Sequence, residues 1–497
     1  MEVDATVSAT RRDDPTATTP PPTPTDRTPR LAVVLLCTAG IVVALTQTII
    51  VPLIPQLPTM LHSSADNTSW ALTITLLVGA AITPIGGRLG DMYGKRLMLL
   101  LSMACVAAGS VVCAVVDALL PFLIGRALQG MGFGAIALGI SVMRDIVPAR
   151  HLGSAVGTMS ASLGIGGALG LPFAAIIAEH VNWHALFFVT AAFAVLCGVG
   201  LARTIPASPT RVGGRFDAVG AIGLIAILVC ILLPLSKGAT WGWGSPLTLG
   251  LFGAAAVVAV IWSLVERRVA NPLVDLAVAM HRPVLLTNIA SVAAGFAFYS
   301  MQLIPIQLLM APTSSPNGLG LDMVTASLIL TPSGLVMFVF SNISARIAAR
   351  HGPRIALAVG GGILGVGYVV FLTVLIGPWR IGWPVIIAVA CIIGAGLGIA
   401  YSAMPALIMR VVRVEQTGEA NGVNALMRVV GTSASAATVG MILTWSAIEI
   451  STPAGPVSVP GESGYVWAAA ISLVASVTAA VIALAIPTGR PVTVDDI

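Results

Sequence analysis

The chain has 497 residues, of which 57% are hydrophobic and only 9% are charged, whereas an average soluble domain is roughly 25% charged. Twenty-five basic and twenty acidic side chains give a net charge of +5 without a dense basic cluster, so this composition argues against a nucleic-acid partner. It excludes an ordinary soluble globule and predicts a protein that resides in the lipid bilayer.

Long apolar runs follow one another along the sequence, separated by short polar connections. Runs of about 18 or more apolar residues can cross a hydrocarbon core roughly 30 Å thick as helices. The pattern therefore predicts an all-α integral membrane protein with 14 transmembrane helices, here called spans 1 to 14. The predicted spans cover residues 31–54, 69–87, 97–116, 119–142, 153–177, 185–202, 218–236, 247–265, 284–309, 323–345, 355–377, 383–409, 425–447 and 465–486.

The spacing of the spans predicts five regions. Residues 1–30, rich in Thr and Pro, are expected to form a disordered N-terminal tail. Residues 31–203 and 284–487 each hold six spans and are expected to form two bundles, joined by a linker over 204–283 that carries spans 7 and 8. Residues 488–497 are expected to be a C-terminal tail. The remaining connections are too short for a separate soluble domain, so the function is expected to lie within or across the membrane.

The basic residues predict the orientation, because short cytoplasmic loops hold the excess of Lys and Arg. Of the 25 lysines and arginines, Arg126 and Arg428 fall in spans, Lys237 and Arg380 fall on one face, and the remaining 21 fall on the other. We call this second face, formed by the tails and the even-numbered connections, the basic face. The asymmetry predicts that both termini are cytoplasmic and that the protein is a multi-pass protein of the cell membrane.

Motifs of enzymes and of metal sites are missing. The six cysteines all fall in apolar runs without metal-ligand spacing, and the six histidines fall near loops or span ends. No phosphate-binding GxxxxGK[ST] sequence is found, which argues against an ATP-driven pump. We therefore expect neither an enzyme, nor a cofactor, nor a metal.

The connection after span 2 carries Gly87, Leu89, Asp91, Gly94, Lys95 and Arg96. Glycines at these positions permit a tight turn, and an aspartate precedes a basic pair. The stretch resembles the GxLaDrxGrk loop of the major facilitator superfamily. The resemblance implies two six-helix bundles that rock around a central cavity, with these residues as a cytoplasmic gating loop between the halves. Arg144 or Arg150 is the expected partner of Asp91.

A weaker copy of the motif follows span 10, where Gly352 aligns with Gly94 and Ala349 takes the place of the aspartate. Internal duplication of a six-helix half leaves such a copy. Because it follows the tenth span, two extra spans must separate the halves. This layout resembles the fourteen-span drug:proton antiporter (multidrug efflux) branch of the superfamily, which implies drug export driven by protons. Spans 7 and 8 are expected to form a peripheral hairpin.

Span 4 carries Arg126, Gln129 and Gly130, similar to the RxxqG core of the superfamily's second motif. An arginine inside a membrane helix costs about 2.5 to 3.5 kcal/mol on insertion scales and normally faces a water-filled cavity or a partner. Two interpretations follow: Arg126 faces the central cavity and tunes protonation or anion binding, or it is a structural residue bonded to neighbouring backbone carbonyls.

Span 5 carries Gly157, Gly166, Gly170 and Pro172. Small residues let helix backbones approach closely, and a proline bends the helix. The set resembles the antiporter motif of exporters, except that Leu171 separates Gly170 from Pro172. The motif therefore supports export while leaving a plain packing role open.

Span 1 carries Thr46 and Gln47 in a stretch that resembles the superfamily's LDxTIVN, with Thr46 in the place of the aspartate. Threonine cannot carry a proton, and the other spans hold no Asp or Glu near their centres. The sequence thus predicts apolar and hydrogen-bonding substrate contacts and no preference for dications. Further candidates for the transport cavity, each of which could equally form a bond between helices, are Asn288, Tyr299, Gln302 and Asn424.

The expected function is secondary active transport, with export of small amphipathic or drug-like compounds by alternating access. The expected partners are a small-molecule substrate, the bilayer and a coupled proton, and the expected state is a monomer. An importer or symporter of a metabolite on the same fold, and a membrane scaffold that does not transport, are the alternatives.

Overall fold

The computed structural model describes residues 30–53, 57–207, 213–315, 317–378, 381–452 and 455–487. The predicted tails, apart from Arg30, lie outside the described residues. Within the described part, 14 helices are long and apolar enough to cross a membrane, as predicted. They run over Arg30–Thr48, Trp70–Tyr93, Lys95–Val115, Leu119–Ile146, Ala149–His180, Trp183–Thr204, Ala218–Trp241, Pro246–Glu266, Arg282–Met310, Met323–His351, Pro353–Ile376, Trp383–Val411, Thr417–Trp445 and Glu462–Ala485.

The helices begin and end where the local chemistry requires it. In a bilayer each backbone N–H and C=O must be satisfied within the helix, so the breaks fall at residues that supply caps or cannot continue. Asp217 and Ser245 accept bonds from the first turns of spans 7 and 8. Gly94 and Gly352 end spans 2 and 10 with φ angles of +114° and +88°, which glycine adopts without strain.

Several shorter elements connect the spans. Span 4 contains a 3-10 turn over Met131–Phe133, between helices Leu119–Gly130 and Gly134–Ile146. An antiparallel hairpin that the sequence analysis did not predict pairs Ala447–Thr452 with Gly455–Pro460 between spans 13 and 14. The remaining short helices and 3-10 turns are Val51–Leu53, Leu57–Met60, Ala65–Thr68, Leu276–Met280 and Val414–Gln416.

Twelve of the fourteen spans form two six-helix bundles, spans 1 to 6 and spans 9 to 14, which meet along two seams. In one seam span 2 packs against span 13, and in the other span 5 packs against spans 10 and 12. Each bundle has its own apolar core: one lies around Leu36, Met103 and Leu138, and the other around Leu364, Tyr368 and Leu397. The seams are therefore the surfaces that must change if one bundle moves against the other.

The expected peripheral hairpin is only half peripheral. Span 8 packs mainly on span 7 and leaves Leu249, Val257 and Ile261 exposed. Span 7 instead lies along the first seam and contacts both span 2 and span 13. Its Leu228 belongs to an apolar cluster that also contains Leu426 of span 13. The spacing of apolar residues cannot reveal this position, because a lipid-facing helix and a seam helix are both apolar.

Candidate functional site

The connection between spans 2 and 3 is shorter than predicted. The helix of span 2 continues to Tyr93, and the next helix begins at Lys95. Gly94 is the one residue between the two helices, and its positive φ angle interrupts the helical conformation. Gly87, Leu89 and Asp91 therefore lie on a helix rather than in a loop, which corrects the predicted end of span 2 at residue 87. A rigid helix fixes the direction of the Asp91 side chain.

Span 2 crosses span 13 with backbone against backbone. A Cβ atom placed on Gly87 would collide with the carbonyl oxygen of Gly418, and one placed on Gly418 would lie 2.6 Å from the carbonyl oxygen of Gly87. One turn further, a Cβ on Gly422 would lie 2.8 Å from the carbonyl oxygen of Thr83. Both helices thus require glycine here, because no side chain fits between them.

Asp91 of the first bundle caps a helix of the second. Its side chain is buried. Its two oxygens accept bonds from the N–H groups of Gly418, at 3.2 Å, and Glu419, at 2.9 Å. These donors lie in the first turn of the helix that begins at Thr417. First-turn N–H groups have no partner within a helix and carry its positive dipole end, so an aspartate is well suited to bind them.

A buried ion pair lies beside this cap. Nη1 of Arg88 lies 3.2 Å from Oε2 of Glu419, with side chains 6% and 5% exposed. Oε1 of Glu419 also accepts the N–H of Asp275, at 2.6 Å. Glu419 therefore joins span 2, span 13 and the segment after span 8. Arg88 and Glu419 were not among the predicted site residues, and Glu419 lies six residues before the predicted start of span 13 at residue 425, because the helix begins earlier, at Thr417.

The two basic residues that follow Gly94 act within the first bundle. Nζ of Lys95 bonds both oxygens of Asp145, at 3.0 and 2.9 Å. Arg96 donates to the carbonyl of Ala202 at the end of span 6. Lys95 and Arg96 consequently tie spans 3, 4 and 6 together, whereas Arg88 and Asp91 reach across the seam.

Arg144 also joins the bundles, but not through Asp91. Its Nη2 donates to the carbonyls of Met409 and Val412, both at 3.0 Å, and its Nη1 to the hydroxyl of Thr417, at 2.5 Å. The expected pairing of Asp91 with Arg144 or Arg150 is therefore replaced by backbone N–H groups. We call the contacts of Arg88, Asp91 and Arg144 with residues 409–419 the latch.

Arg126 is fully buried inside the first bundle. Its Nε donates to the carbonyl of Ala71 at 3.2 Å, and its Nη1 to the carbonyl of Thr46 at 2.9 Å and to Oε1 of Gln129 at 2.5 Å. Gln129 in turn donates to the hydroxyl of Ser110 at 2.8 Å. These bonds join spans 1, 2, 3 and 4. The interpretation of Arg126 as a structural residue requires backbone carbonyl partners, and two of its bonds have them.

The Thr46 side chain bonds its own helix, with the hydroxyl 2.7 Å from the carbonyl of Val43. The backbone carbonyl of Thr46, rather than its side chain, therefore meets Arg126. Gln47, the next residue, is half-buried. Since the contact uses backbone, its chemistry is independent of whether threonine or aspartate stands at position 46.

The glycines of span 5 lie on two different faces. A Cβ on Gly166 would lie 2.8 Å from the carbonyl of Ile41, and one on Gly170 would collide with the hydroxyl of Thr48, both in span 1. A Cβ on Gly157 would lie 2.9 Å from the carbonyl of Ser341 in span 10. Pro172 lies inside the same helix. Gly166 and Gly170 thus face their own bundle, and Gly157 faces the seam.

A second polar cluster lies in the other bundle. Nδ2 of Asn424 donates to Oδ1 of Asn288 at 3.0 Å and to the hydroxyl of Ser291 at 2.7 Å. One turn along span 13, the guanidinium of Arg428 lies 5.2 Å from the ring centre of Tyr401. Arg428 is buried, and its Nη1 lacks a hydrogen-bond partner among the described residues. This arginine was assigned no role by the sequence analysis.

One of the two predicted residues of span 9, Gln302, lies towards the seam between the bundles. Tyr299 and Gln302 are half-buried. Nε2 of Gln302 lies 3.3 Å from the position that a Cβ on Gly167 of span 5 would occupy. Gln302 therefore lies beside the opposite bundle. The Arg126–Gln129 and Asn288–Asn424 clusters, in contrast, each bond within one bundle.

Residues 36–436 match the profile of the Major Facilitator Superfamily. The chain belongs to this superfamily. Two solved members share its fold: the human organic anion transporter MFSD10, with a TM-score of 0.59 and 13% identity over 92% of this chain and 98% of that one, and the proton:xylose symporter XylE, with a TM-score of 0.60 and 12% identity over 90% and 94%. Membership identifies the chain as a membrane transporter rather than an enzyme.

Curated relatives are more similar in sequence. Multidrug resistance protein 3 of Bacillus subtilis is 26% identical over 77% of this chain and 73% of its own length. The tetracenomycin C resistance and export protein of Streptomyces glaucescens is 29% identical over 64% of this chain, and the match spans 58% of that protein. Multidrug resistance protein Stp of Mycobacterium tuberculosis is 22% identical over 78% of this chain and 71% of its own length.

Proposed function

We propose that this protein exports small amphipathic or drug-like compounds across the cell membrane by alternating access. The single observation that carries the transport cycle is the pair of bonds that the N–H groups of Gly418 and Glu419, in the first turn of span 13, donate to Asp91, because these bonds join the two bundles at the basic face. Rocking of the bundles must break these bonds and remake them. Export as the direction is supported by relatives named for drug resistance and for export of tetracenomycin C.

The proposed orientation puts the basic face, with both termini, in the cytoplasm. The excess of Lys and Arg on this face supports it. The latch lies on the same face, since spans 2, 4, 10 and 12 all end there and span 13 begins there. In this orientation the structure is closed towards the cytoplasm. The transporter is proposed to work as a monomer, because each monomer contains both bundles.

The proposed energy source is the proton gradient. Span 1 has Thr46 where the superfamily has a carboxylate that can carry a proton. Asp91 and Glu419, whose carboxylates form contacts between the bundles, are proposed to carry the proton instead. Protonation would remove the negative charge that each contributes to the latch, which gives a proton a direct effect on closure. The substrate is proposed to lie between the bundles, near Gln302, Arg428 and the Asn288–Asn424 cluster.

Purified protein in vesicles tests the proposal. A fluorescent amphipathic dye is followed after a pH gradient is imposed, and again after an ionophore has removed the gradient. Export predicts dye movement away from the side that carries the basic face, whose location is read with impermeant thiol reagents on a cysteine introduced at exposed Arg350. Movement towards that side would support an importer, and no movement of any dye would support a scaffold. Dye movement unchanged by the ionophore would contradict proton coupling.

A further inference from the structure

A cavity of about 740 Å³ opens on the basic face of the second bundle. It borders the latch segment and lies among the ends of spans 9, 10, 11, 12 and 14 and the short helix Leu276–Met280. Four arginines and two histidines line it, namely Arg282, Arg354, Arg410, Arg413, His281 and His351. Two further cavities hold fewer basic groups: Arg88 and Arg413 line one of them, and no basic residue lines the other.

The positive charge in this cavity is not neutralised. None of its four arginines forms an ion pair with a described residue. Arg282 and Arg410 are exposed, and the only carboxylate in the wall, Asp275, accepts bonds from the N–H groups of Ala277 and Val278. Arg354 donates to the carbonyl of Leu484, and Arg413 donates to Oε1 of Gln416, but neither acceptor is charged. Guanidinium groups without a counter-charge in a concave site attract an anion, and phosphate matches their fork of donors.

Helix ends add to the positive field. Span 9 begins at Arg282 and span 11 at Pro353, and both residues line the cavity. Neither helix start has a hydrogen bond from a capping side chain. Uncapped N–H groups at the start of a long helix favour a bound anion. Arginines and helix starts thus converge on one cavity.

Much of the rest of the cavity wall is apolar and is formed by side chains at the ends of the spans and in the short helix Leu276–Met280. These residues are Val278, Val284, Leu407, Val411 and Ile486. A small inorganic anion gains nothing from such a wall, whereas an amphiphile can place its charged group on the arginines and its chain along the valines and leucines. Basic pockets between membrane helices on the cytoplasmic side are typical binding sites for anionic lipid headgroups.

We propose that this cavity binds the phosphate headgroup of an anionic phospholipid from the leaflet at the basic face. The site is independent of the transported substrate and of the direction of transport. Its ligand would touch the segment that the latch uses, because Arg413 lines the cavity while its carbonyl accepts a bond from Arg144 at 3.4 Å. Asp275, also in the wall, donates its N–H to Glu419.

Lipid binding to the full-length protein tests the assignment. Detergent-purified protein is titrated with phosphatidylglycerol and with phosphatidylcholine, and bound lipid is counted by native mass spectrometry. Arg282→Gln combined with Arg410→Gln should weaken phosphatidylglycerol binding about 30-fold, since each arginine near an anionic lipid surface contributes about 1 kcal/mol and about 2 kcal/mol corresponds to that factor. The single variant Arg410→Lys, which keeps the positive charge and leaves Arg282 intact, should retain most of the wild-type binding.

The matched control is Arg346→Gln combined with Arg350→Gln. Arg346 and Arg350 are exposed at the same face and lie outside the cavity. Their replacement lowers the net charge by the same two units as the replacement of Arg282 and Arg410. Equal loss in both double variants, or equal binding of the two lipids by the wild type, would overturn the proposal. Displacement of phosphatidylglycerol by millimolar inorganic phosphate would assign the cavity to a soluble phosphate compound instead. Thermal unfolding of each variant verifies that the fold is intact.

Discussion

Arg88 of span 2 and Glu419 of span 13 form an ion pair across the seam, although 331 positions separate them in the sequence. Both side chains are almost completely buried. A buried pair contributes little net stability, but the loss of one partner leaves a charge that neither water nor protein compensates. The pair is therefore sensitive to single substitutions in a way that an exposed pair is not.

Glu419→Gln alone should destabilise the latched state by about 3 to 5 kcal/mol, since it leaves Arg88 buried without a counter-charge. Combining it with Arg88→Gln should recover part of that loss. Thermal unfolding of the two single variants and the double variant measures the coupling. Additive effects of the two substitutions would show that the two groups do not interact.

Asp91→Asn should slow transport about tenfold, because an amide holds the first turn of span 13 by roughly 1.5 kcal/mol less than a carboxylate does. The measurement is dye transport by vesicles that contain equal amounts of each protein. Asp117→Asn is the matched control: its side chain is 66% exposed, and its contact with His184 is 3.4 Å long. A surface pair of this kind contributes about 0 to 1 kcal/mol. Normal transport by the Asp91 variant would contradict the role of the latch.

Gly87→Ala should prevent the seam from closing at the basic face, because the new methyl group would meet the carbonyl oxygen of Gly418. Gly86→Ala offers an unusually close comparison: it lies next to Gly87 on the same helix, and a Cβ there meets nothing within 4 Å. Val423 is half-buried in span 13, next to Gly422. A thiol reagent applied from the basic face should label Val423→Cys faster when Gly87→Ala is present, and at the wild-type rate when Gly86→Ala is present. Equal labelling of both would mean that the glycine contact does not control closure.

Arg126→Gln should lower both the stability and the transport rate, because the carbonyls of Thr46 and Ala71 would lose a buried charged donor. A hydrogen bond to a charged group contributes about 1.5 to 3 kcal/mol. The unfolding midpoint and dye transport are measured on the same preparations. Lost transport with an unchanged unfolding midpoint would favour the alternative role, in which Arg126 acts on protonation or on an anion in the cavity.

Dications should not be preferred substrates. The buried carboxylates in the described part of the spans, Asp91, Glu266 and Glu419, all lie in terminal turns at the basic face. Arg126 and Arg428 instead place buried positive charge farther inside. Competition of dicationic and neutral amphipathic compounds against one fluorescent substrate measures the preference. Tighter competition by a series of dications would refute this prediction.

The sequence was sufficient for the number of spans and for a glycine turn between spans 2 and 3, because hydrophobic length and a glycine-rich motif are local signals. It was not sufficient for the partners of Asp91. Contacts such as Arg88 with Glu419, or Arg144 with Thr417, join segments hundreds of residues apart, and no periodicity reports on them. The predicted connection over residues 88–96 was also too long, because the glycines at 87 and 90 were taken to form a turn, whereas they allow close packing of helices.

The position of span 7 determines how the halves can move. Polar bonds hold it to span 2: the hydroxyls of Ser236 and Thr73 lie 2.6 Å apart, and Lys237 donates to Ser69 at 2.5 Å. Its contact with span 13 is made of aliphatic side chains, which can slip past one another at little cost. Span 7 should therefore move together with the first bundle, while the second bundle slides along its aliphatic surface.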